Sequence, residues 1–252
     1  MAEERSALKQ LIDSGEFLNS FNLDRKTSGL VFDKRTLKSI YELSSRENID
    51  YIDFPISSGK ESVVFKAYIR KKPVVLKVYK MSTLKFSNIR IYIEGDHRFS
   101  KERLSRSNMV YIWAKKEYTN LDELRRVGIP APKPIAFHKN LLLMSYIGTG
   151  KVPAPALRNA SFDAQEVYGN VREYIRLLYQ KAHIVHADLS EYNILYYRRK
   201  PYFIDMGQSV SSTHPSADFF LERDVKNITH YFIKLGVKCT AEDLESYIRR
   251  ES

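Results

Sequence analysis

The residues best able to do chemistry stand in one run, His186-Ala187-Asp188-Leu189-Ser190-Glu191-Tyr192-Asn193, with Ile204-Asp205-Met206-Gly207 soon after it. Between them, Ile194–Tyr197 and Tyr202–Ile204 read as strands joined by an Arg198-Arg199-Lys200 turn. Asn193 and Asp205 are equidistant from Arg199, so a regular hairpin sets them side by side with Cα atoms ~5 Å apart. An amide oxygen and a carboxylate at that separation suit Mg2+, which takes waters and substrate phosphates as its other ligands. Asp188, just before the hairpin, can act as base or orienter for an incoming nucleophile. His186 reads better as a group that orients backbone by hydrogen bonding than as a catalytic one.

A second pair lies upstream. Alternation along 73–80 puts Val75, Lys77 and Tyr79 on one strand face, where a lysine must meet an anion or reach outward. In the helix expected over 110–127, Val110, Ala114, Leu121 and Leu124 form an apolar stripe, and Glu117 falls inside it. A carboxylate there is costly unless paired, which makes Lys77 and Glu117 candidate partners. Strand lysine, helix glutamate, loop aspartate, and an Asn and an Asp for metal are together the parts of a phosphoryl-transfer site. The segment Ser57-Ser58-Gly59-Lys60-Glu61-Ser62 is neither G-x-G-x-x-G nor a P-loop, since Phe54 stands where the first glycine belongs and Glu61 follows the lysine. It can still offer backbone N–H groups and hydroxyls to phosphates.

The elements that must position these residues are legible in outline. Residues 1–50 read as helical pieces, with one stripe at Ala7, Leu8, Leu11 and Ile12 and another at Leu37, Ile40, Tyr41 and Leu43 behind Asp33 as N-cap. Ser62–Ile69 and Val74–Tyr79 read as strands, joined by the Arg70-Lys71-Lys72-Pro73 turn. Residues 81–108 are polar and weakly periodic, a long loop or frayed helix. Its Lys85, Arg90, Arg98, Lys101, Arg103 and Arg106 could touch RNA or order over a nucleotide. Strands at Pro134–His138 and Leu141–Ile147 precede a break at Gly148-Thr149-Gly150, and helices follow at Asp163–Lys181, Asp218–Leu235 and Ala241–Arg250, the last with a Thr240/Asp243 capping box. Strands first and helices after suggest an α+β chain of two lobes.

Composition excludes several classes. The chain has 252 residues, 43% of them hydrophobic, and a single cysteine, Cys239, which leaves no disulfide framework or cysteine-rich zinc module. Its acidic N-terminus does not read as a signal peptide, and its longest apolar run, near 141–147, is far short of the ~20 residues of a membrane helix. The expectation is a cytoplasmic protein with no membrane partner. The net charge of +11 is concentrated in the middle: 51–110 carry 13 basic and 5 acidic groups, and 111–200 carry 14 and 8. A central positive region suits a nucleotide or an RNA backbone.

The segments Ser57–Ser62, Met144-Ser145-Tyr146-Ile147-Gly148, His186–Asn193 and Ile204–Val210 resemble the RIO atypical serine/threonine protein kinases, the type-1 subfamily most, over roughly 51–235. Residues 1–50 look too short for the winged-helix domain of the type-2 subfamily. The resemblance implies a bilobal protein-kinase-like fold: an N-terminal helical extension over 1–50, a β-rich N-lobe with hinge strand over 51–147, and a reduced helical C-lobe over 148–252. It implies ATP with Mg2+ or Mn2+ as cofactors. Ser57, Ser58 and Lys60 would face the phosphates, Lys77 would hold the α- and β-phosphates beside Glu117, and the backbone at Ser145 and Ile147 would bind adenine. Asp188 would be the catalytic Asp, Asn193 and Asp205 the metal ligands, and Asp205 also the site of a phosphoaspartate. The family acts in late maturation of the small ribosomal subunit, as an ATPase switch as much as a kinase, so the implied partner is the pre-small-subunit particle or its RNA.

The departures from ordinary protein kinases bear on substrate. Met206 replaces the Phe of Asp-Phe-Gly, Ala187 replaces the arginine before the catalytic Asp, and Ser190 stands where a lysine is usual. Only 47 residues follow Asp205, with no Ala-Pro-Glu among them, which argues against docking of a peptide substrate. Two other classes stay open. One is a small-molecule phosphotransferase of the aminoglycoside or choline kinase type, which shares H-x-D-x-x-x-x-N. The other is a nucleotide-gated scaffold that binds pre-ribosomal RNA without useful catalysis.

Overall fold

The structure, a computed structural model, describes residues 33–81, 86–150 and 152–250, without the side chains of Phe54, residues 86–88, Arg106 and Ser107. The stripe expected at Ala7, Leu8, Leu11 and Ile12 lies outside the described residues. The chain divides into two compact units. Met1–Leu84, Arg106–Lys115 and Ile135–Tyr146 form the first, and Lys85–Ser105, Lys116–Pro134 and Ile147–Ser252 form the second.

Among the described residues, the first unit is a five-stranded sheet with the helix after Asp33 laid on it, together with the helical segment Arg106–Lys115. Helix α1 (Lys34–Glu47) starts at Asp33, whose Oδ1 accepts the Thr36 N–H at 2.7 Å. Strands β1 (Ile49–Ser58), β2 (Ser62–Ile69), β3 (Lys72–Tyr79), β4 (Pro134–His138) and β5 (Leu141–Ser145) order as β1-β2-β3-β5-β4. The period-2 pattern decides which face is covered. Val63, Phe65 and Ala67 of β2, Val74, Leu76 and Val78 of β3, and Leu141 and Leu143 of β5 share one core with Leu37, Ile40 and Leu43 of α1. Each α1 side chain contributes about 1.5–3 kcal/mol by that burial. Tyr41, expected in the same stripe, is exposed, because the position after Ile40 turns ~100° away from the sheet. Lys77, out of phase with Leu76 and Val78, takes the opposite face. The β2–β3 turn is shorter than expected: Ile69 pairs with Lys72, leaving Arg70 and Lys71 as a two-residue turn, both at positive φ. Its Lys71 N–H is received by Asp50 Oδ2 at 2.8 Å.

The second unit is mainly helical. Its elements are α2 (Phe86–Ile93), the C-terminal part of α3 (Arg106–Arg126), α4 (Ala164–Gln180), α5 (Ala217–Lys234) and α6 (Ala241–Arg249), with short ladders β6 (Ile184–Val185) to β9 (Val210–Ser211) and β7 (Ile194–Tyr197) to β8 (Lys200–Phe203). Asp163 caps α4 by accepting the Glu166 N–H at 2.8 Å, and Thr240 caps α6 through the Asp243 N–H at 3.0 Å, as the capping box requires. Gly148 has φ +150, and a Cβ there would lie 2.5 Å from the Val152 carbonyl oxygen, so the tight turn ending at Ala154 needs glycine.

The loop expected over 81–108 is corrected in this unit. Residues 86–93 are α2, 97–99 form a 3-10 turn capped by Asp96, and α3 begins at Arg106. Ile89, Tyr92, Ile93 and Phe99 are buried, too few and too unevenly spaced to show as a periodic stripe. Arg98 is committed to Asp96 and Asn120 rather than offered to a partner.

Candidate active site

The hairpin that carries the site has a different register from the one expected. Ile194 pairs with Phe203 and Tyr197 with Lys200, so the turn is the two residues Arg198 and Arg199, both at positive φ. Its centre lies between them rather than on Arg199. Asn193 therefore faces Ile204, whose N–H it receives at 3.0 Å, and Asp205 sits one residue beyond the ladder. Counting three turn residues instead of two makes the one-residue error, because a twisted β-ribbon selects the tighter turn even without Asn-Gly. Asp205 itself adopts φ +61, a left-handed conformation that a non-glycine residue keeps only when its neighbours hold it.

Buried side chains hold the segment on both sides of Asp205. His186 Nε2 lies 3.1 Å from the Ile204 carbonyl oxygen, and Asn120 Nδ2 donates to the Met206 carbonyl at 2.7 Å. The orienting role expected of His186 is thus visible as a backbone hydrogen bond. Burial pushes its imidazole down to about 4, against the pull of the Ile204 carbonyl and the Asp205 charge. A folded value below the unfolded one makes this contribution to stability full above pH 6.5 and lost as pH falls toward 4. We expect metal-free wild type to lose about 3 kcal/mol more than His186→Gln between pH 6.5 and 4, read by denaturant unfolding at each pH. Equal losses would show that His186 is not held neutral.

Asp188 and Asn193 are brought together. Asn193 Nδ2 donates to the Asp188 carbonyl at 2.7 Å and to its Oδ2 at 3.1 Å, and Gln208 Nε2 reaches the same Oδ2 at 3.2 Å. Because the Asn193 amide nitrogen is spent on Asp188, its Oδ1 is the atom presented as a ligand. Burial raises the half-buried Asp188 carboxyl above its ordinary value; the Asp205 charge adds to this, and Asn193 and Arg223 oppose it. Among the described residues no group of three or more His, Cys, Asp or Glu gathers as a metal cage. An amide oxygen and a carboxylate fit a hard ion that completes its shell with water and phosphate.

Five further groups hold this geometry, and the sequence alone does not single them out. Asp224 of α5 is buried and accepts the Ala187 N–H at 2.7 Å and the Leu189 N–H at 2.8 Å, while Arg223 donates to the Ala187 carbonyl. They brace Ala187 at φ +64 and so aim Asp188. Asp96, Lys116 and Asn120 are also fully buried. Burial would raise the Asp96 carboxyl, but Arg98 and Lys116 outweigh it and hold it well below the carboxylate range; burial pushes Lys116 down to about 8. The available signal was a polar residue at an apolar helical position, as at Asn120 and Asp224, though its partner lies far away in sequence.

The nucleotide-binding candidates divide between the units. Ser57, Ser58, Lys60, Lys77 and Ser145 lie in the first, Glu117 and Ile147 in the second. Lys77 is buried on β3 between Val64 and Leu142, and its Nζ lies 5.2 Å from the Tyr79 ring centroid. Glu117 is 1% exposed within α3. Ser57 and Ser58 are not in a loop: they end β1, paired with Val64 and Val63, and the turn proper is closed by Gly59 N–H to the Ser62 carbonyl at 2.9 Å. Lys80 Nζ holds the Gly59 carbonyl at 2.7 Å, and Ser57–Lys60 are exposed. The Ile147 carbonyl accepts the Ala154 N–H at 3.0 Å.

Residues 63–245 match the family model of the RIO domain. The RIO-type serine/threonine-protein kinase Rio1 of Thermoplasma acidophilum is 50% identical over 189 residues, 75% of this chain and 100% of that protein. The chain belongs to the RIO family. Rio1 of Methanocaldococcus jannaschii is 39% identical over 89% of this chain and 78% of its own length. These archaeal relatives bear out the RIO-type, type-1-like resemblance and its enzyme class, serine/threonine protein kinase. Two structures of Rio2 kinase from Chaetomium thermophilum match in fold, each with a TM-score of 0.66. The kinase alone is 25% identical over 84% of this chain and 67% of that one; its ADP/Mg2+-phosphoaspartate complex is 23% identical over 85% and 66%. The kinase-like α+β fold expected from the RIO motifs is the fold found. No helix among the described residues is long and apolar enough to cross a membrane.

Proposed function

We propose that this RIO-family chain binds ATP with Mg2+ and passes the γ-phosphoryl group to its own Asp205 and then to water, as a switch in small-ribosomal-subunit maturation. The observation that carries the reading is the Asp188–Asn193 pair, which commits the amide nitrogen inward and turns an amide oxygen outward beside a strained Asp205. Asn193 and Asp205 would hold the metal, whose chemistry when bound is to neutralise charge on the transferring phosphate. Lys77 would contact the phosphates with Glu117 as its partner, Ser57, Ser58 and Lys60 would flank them, and the backbone at Ser145 and Ile147 would meet the adenine edge. An ionised Asp205 oxygen attacks the γ-phosphorus, an O–P bond forms, the bond to the bridging oxygen breaks and ADP leaves. Asp188 then takes a proton from the water that attacks the acyl phosphate, releasing inorganic phosphate and the Asp205 carboxylate. The basic region over 51–200 supports a particle or RNA partner, and the related Rio2 complex with phosphoaspartate supports the covalent step.

Labelling with γ-phosphate-labelled ATP and Mg2+ tests this. The expected label is removed by hydroxylamine, maps to the Asp205 peptide and is absent from Asp205→Asn. A hydroxylamine-stable label on Ser or Thr replaces the switch with ordinary transfer to hydroxyls. Bound ATP without label moves the protein to the scaffold class.

A further inference from the structure

Asp96, Arg98, Lys116 and Asn120 close a polar ring in the second unit. Asp96 Oδ2 accepts Lys116 Nζ at 2.9 Å and Arg98 Nη2 at 2.7 Å, and Arg98 Nη1 donates to Asn120 Oδ1 at 2.9 Å. Asn120 Nδ2 returns to the Met206 and Ser209 carbonyls at 2.7 and 3.2 Å, and Lys116 Nζ donates to the same Ser209 carbonyl. The Ser209 hydroxyl in turn donates to the His186 carbonyl at 3.0 Å. All four ring members except Arg98 are fully buried, and the Arg98 side chain is 20% exposed. The segment bearing Asp96 is docked a second time: His214 Nε2 contacts the Glu94 carbonyl at 2.7 Å, and Gly95, at φ +89, packs where a Cβ would lie 2.7 Å from Pro215.

Burying a carboxylate and an ammonium costs several kcal/mol per ion, and an apolar pair of similar volume is often as stable or more so. Stability alone therefore does not account for the ring. What the ring uniquely supplies is a fixed place for the carbonyls of Met206 and Ser209, the first of them the next residue after a left-handed Asp205. We propose that Asp96, Arg98, Lys116 and Asn120 are positioning residues that set the Asp205 carboxylate for metal binding, an inference that rests on Asp205 being a metal ligand. Through Asp96, the segment after α2 becomes part of the support of the metal loop.

The probe is Mn2+, its free concentration read from the solution electron paramagnetic resonance signal, with a non-hydrolysable ATP analogue present. Lys116→Met and Asp96→Asn should each weaken Mn2+ by about 10-fold or more, the usual effect of losing an outer support of a metal ligand. Metal-free nucleotide affinity should stay at the wild-type value. Asp96→Asn leaves the buried Lys116 ammonium without its carboxylate, whereas Lys116→Met keeps Asp96 paired with Arg98, so the double variant Asp96→Leu/Lys116→Met, which removes both fully buried charges and leaves only the part-exposed Arg98, separates folding from positioning. It should melt above Asp96→Asn, because the unpaired Lys116 charge is gone, and still bind Mn2+ about 10-fold more weakly than wild type. Wild-type Mn2+ affinity in the folded double variant, with Asp205→Asn weakened in the same assay, overturns the positioning role and leaves Asp205 as ligand. Unchanged affinity in Asp205→Asn overturns the ligand assignment and the inference with it.

Discussion

Asp188→Asn should slow hydrolysis of the Asp205 acyl phosphate, and with it ATP turnover, by about 10²–10⁴-fold, the usual contribution of a positioned general base, with ATP affinity unchanged. Both side-chain donors on Asp188, Asn193 Nδ2 and Gln208 Nε2, converge on one oxygen, Oδ2, so the single oxygen of an amide can still receive both. The substitution thus keeps the loop and removes the basicity. Burial, which already raises the carboxyl, makes the native group a better proton acceptor than an exposed aspartate. The check is turnover measured beside nucleotide binding on the same preparation. Wild-type turnover would take Asp188 out of the base role, and full biological function without turnover would favour a nucleotide-gated scaffold.

Asp224→Asn should damage both stability and rate, although residue 224 touches no reactant in the proposed mechanism. The carboxylate receives two N–H groups on separate oxygens, Ala187 on Oδ2 and Leu189 on Oδ1. An amide offers one oxygen, so one N–H is left against an NH2 group in a buried site, a loss of about 1–3 kcal/mol. For a chain of this size that lowers the melting temperature by about 2–12 °C. Released from its clamp, Ala187 no longer has to keep φ +64, and a shift of ~1 Å at Asp188 lowers the rate by about 100-fold. Thermal unfolding and kcat at a temperature where the variant is folded test the two parts separately. A stable variant of normal rate would show that the clamp does not position the loop. Burial pushes the Asp224 carboxyl up to about 7 against its two N–H groups and Arg223, which is why replacing it with an amide is not simply the loss of a charge.

Much of this protein is local enough to be read directly. The run from His186 to Asn193 and the following Asp205 carry their meaning in residue type and order, and by themselves they point to the RIO family. Strand β2 and the burial of Glu117 follow from periods of 2 and 3.6 that a sequence displays, and the Asp33 and Thr240 caps from residue type and place. What the sequence left open depends on partners distant in the chain. The Arg70-Lys71 and Arg198-Arg199 turns lack the usual Asn or Gly, because strand twist and pairing over the whole ribbon select a two-residue turn at positive φ. That choice moved Asp205 one residue past Ile204, the position opposite Asn193. Helix α2 is anchored by three buried side chains, and Asp96 acquires its meaning only from a lysine 20 positions and a carbonyl more than 100 positions away. The candidate reactive groups are legible in residue type and order, since reactivity resides in residue types. Only tertiary structure decided which groups hold them, since a buried polar atom must be satisfied by whatever the fold brings within 3 Å, regardless of separation along the chain.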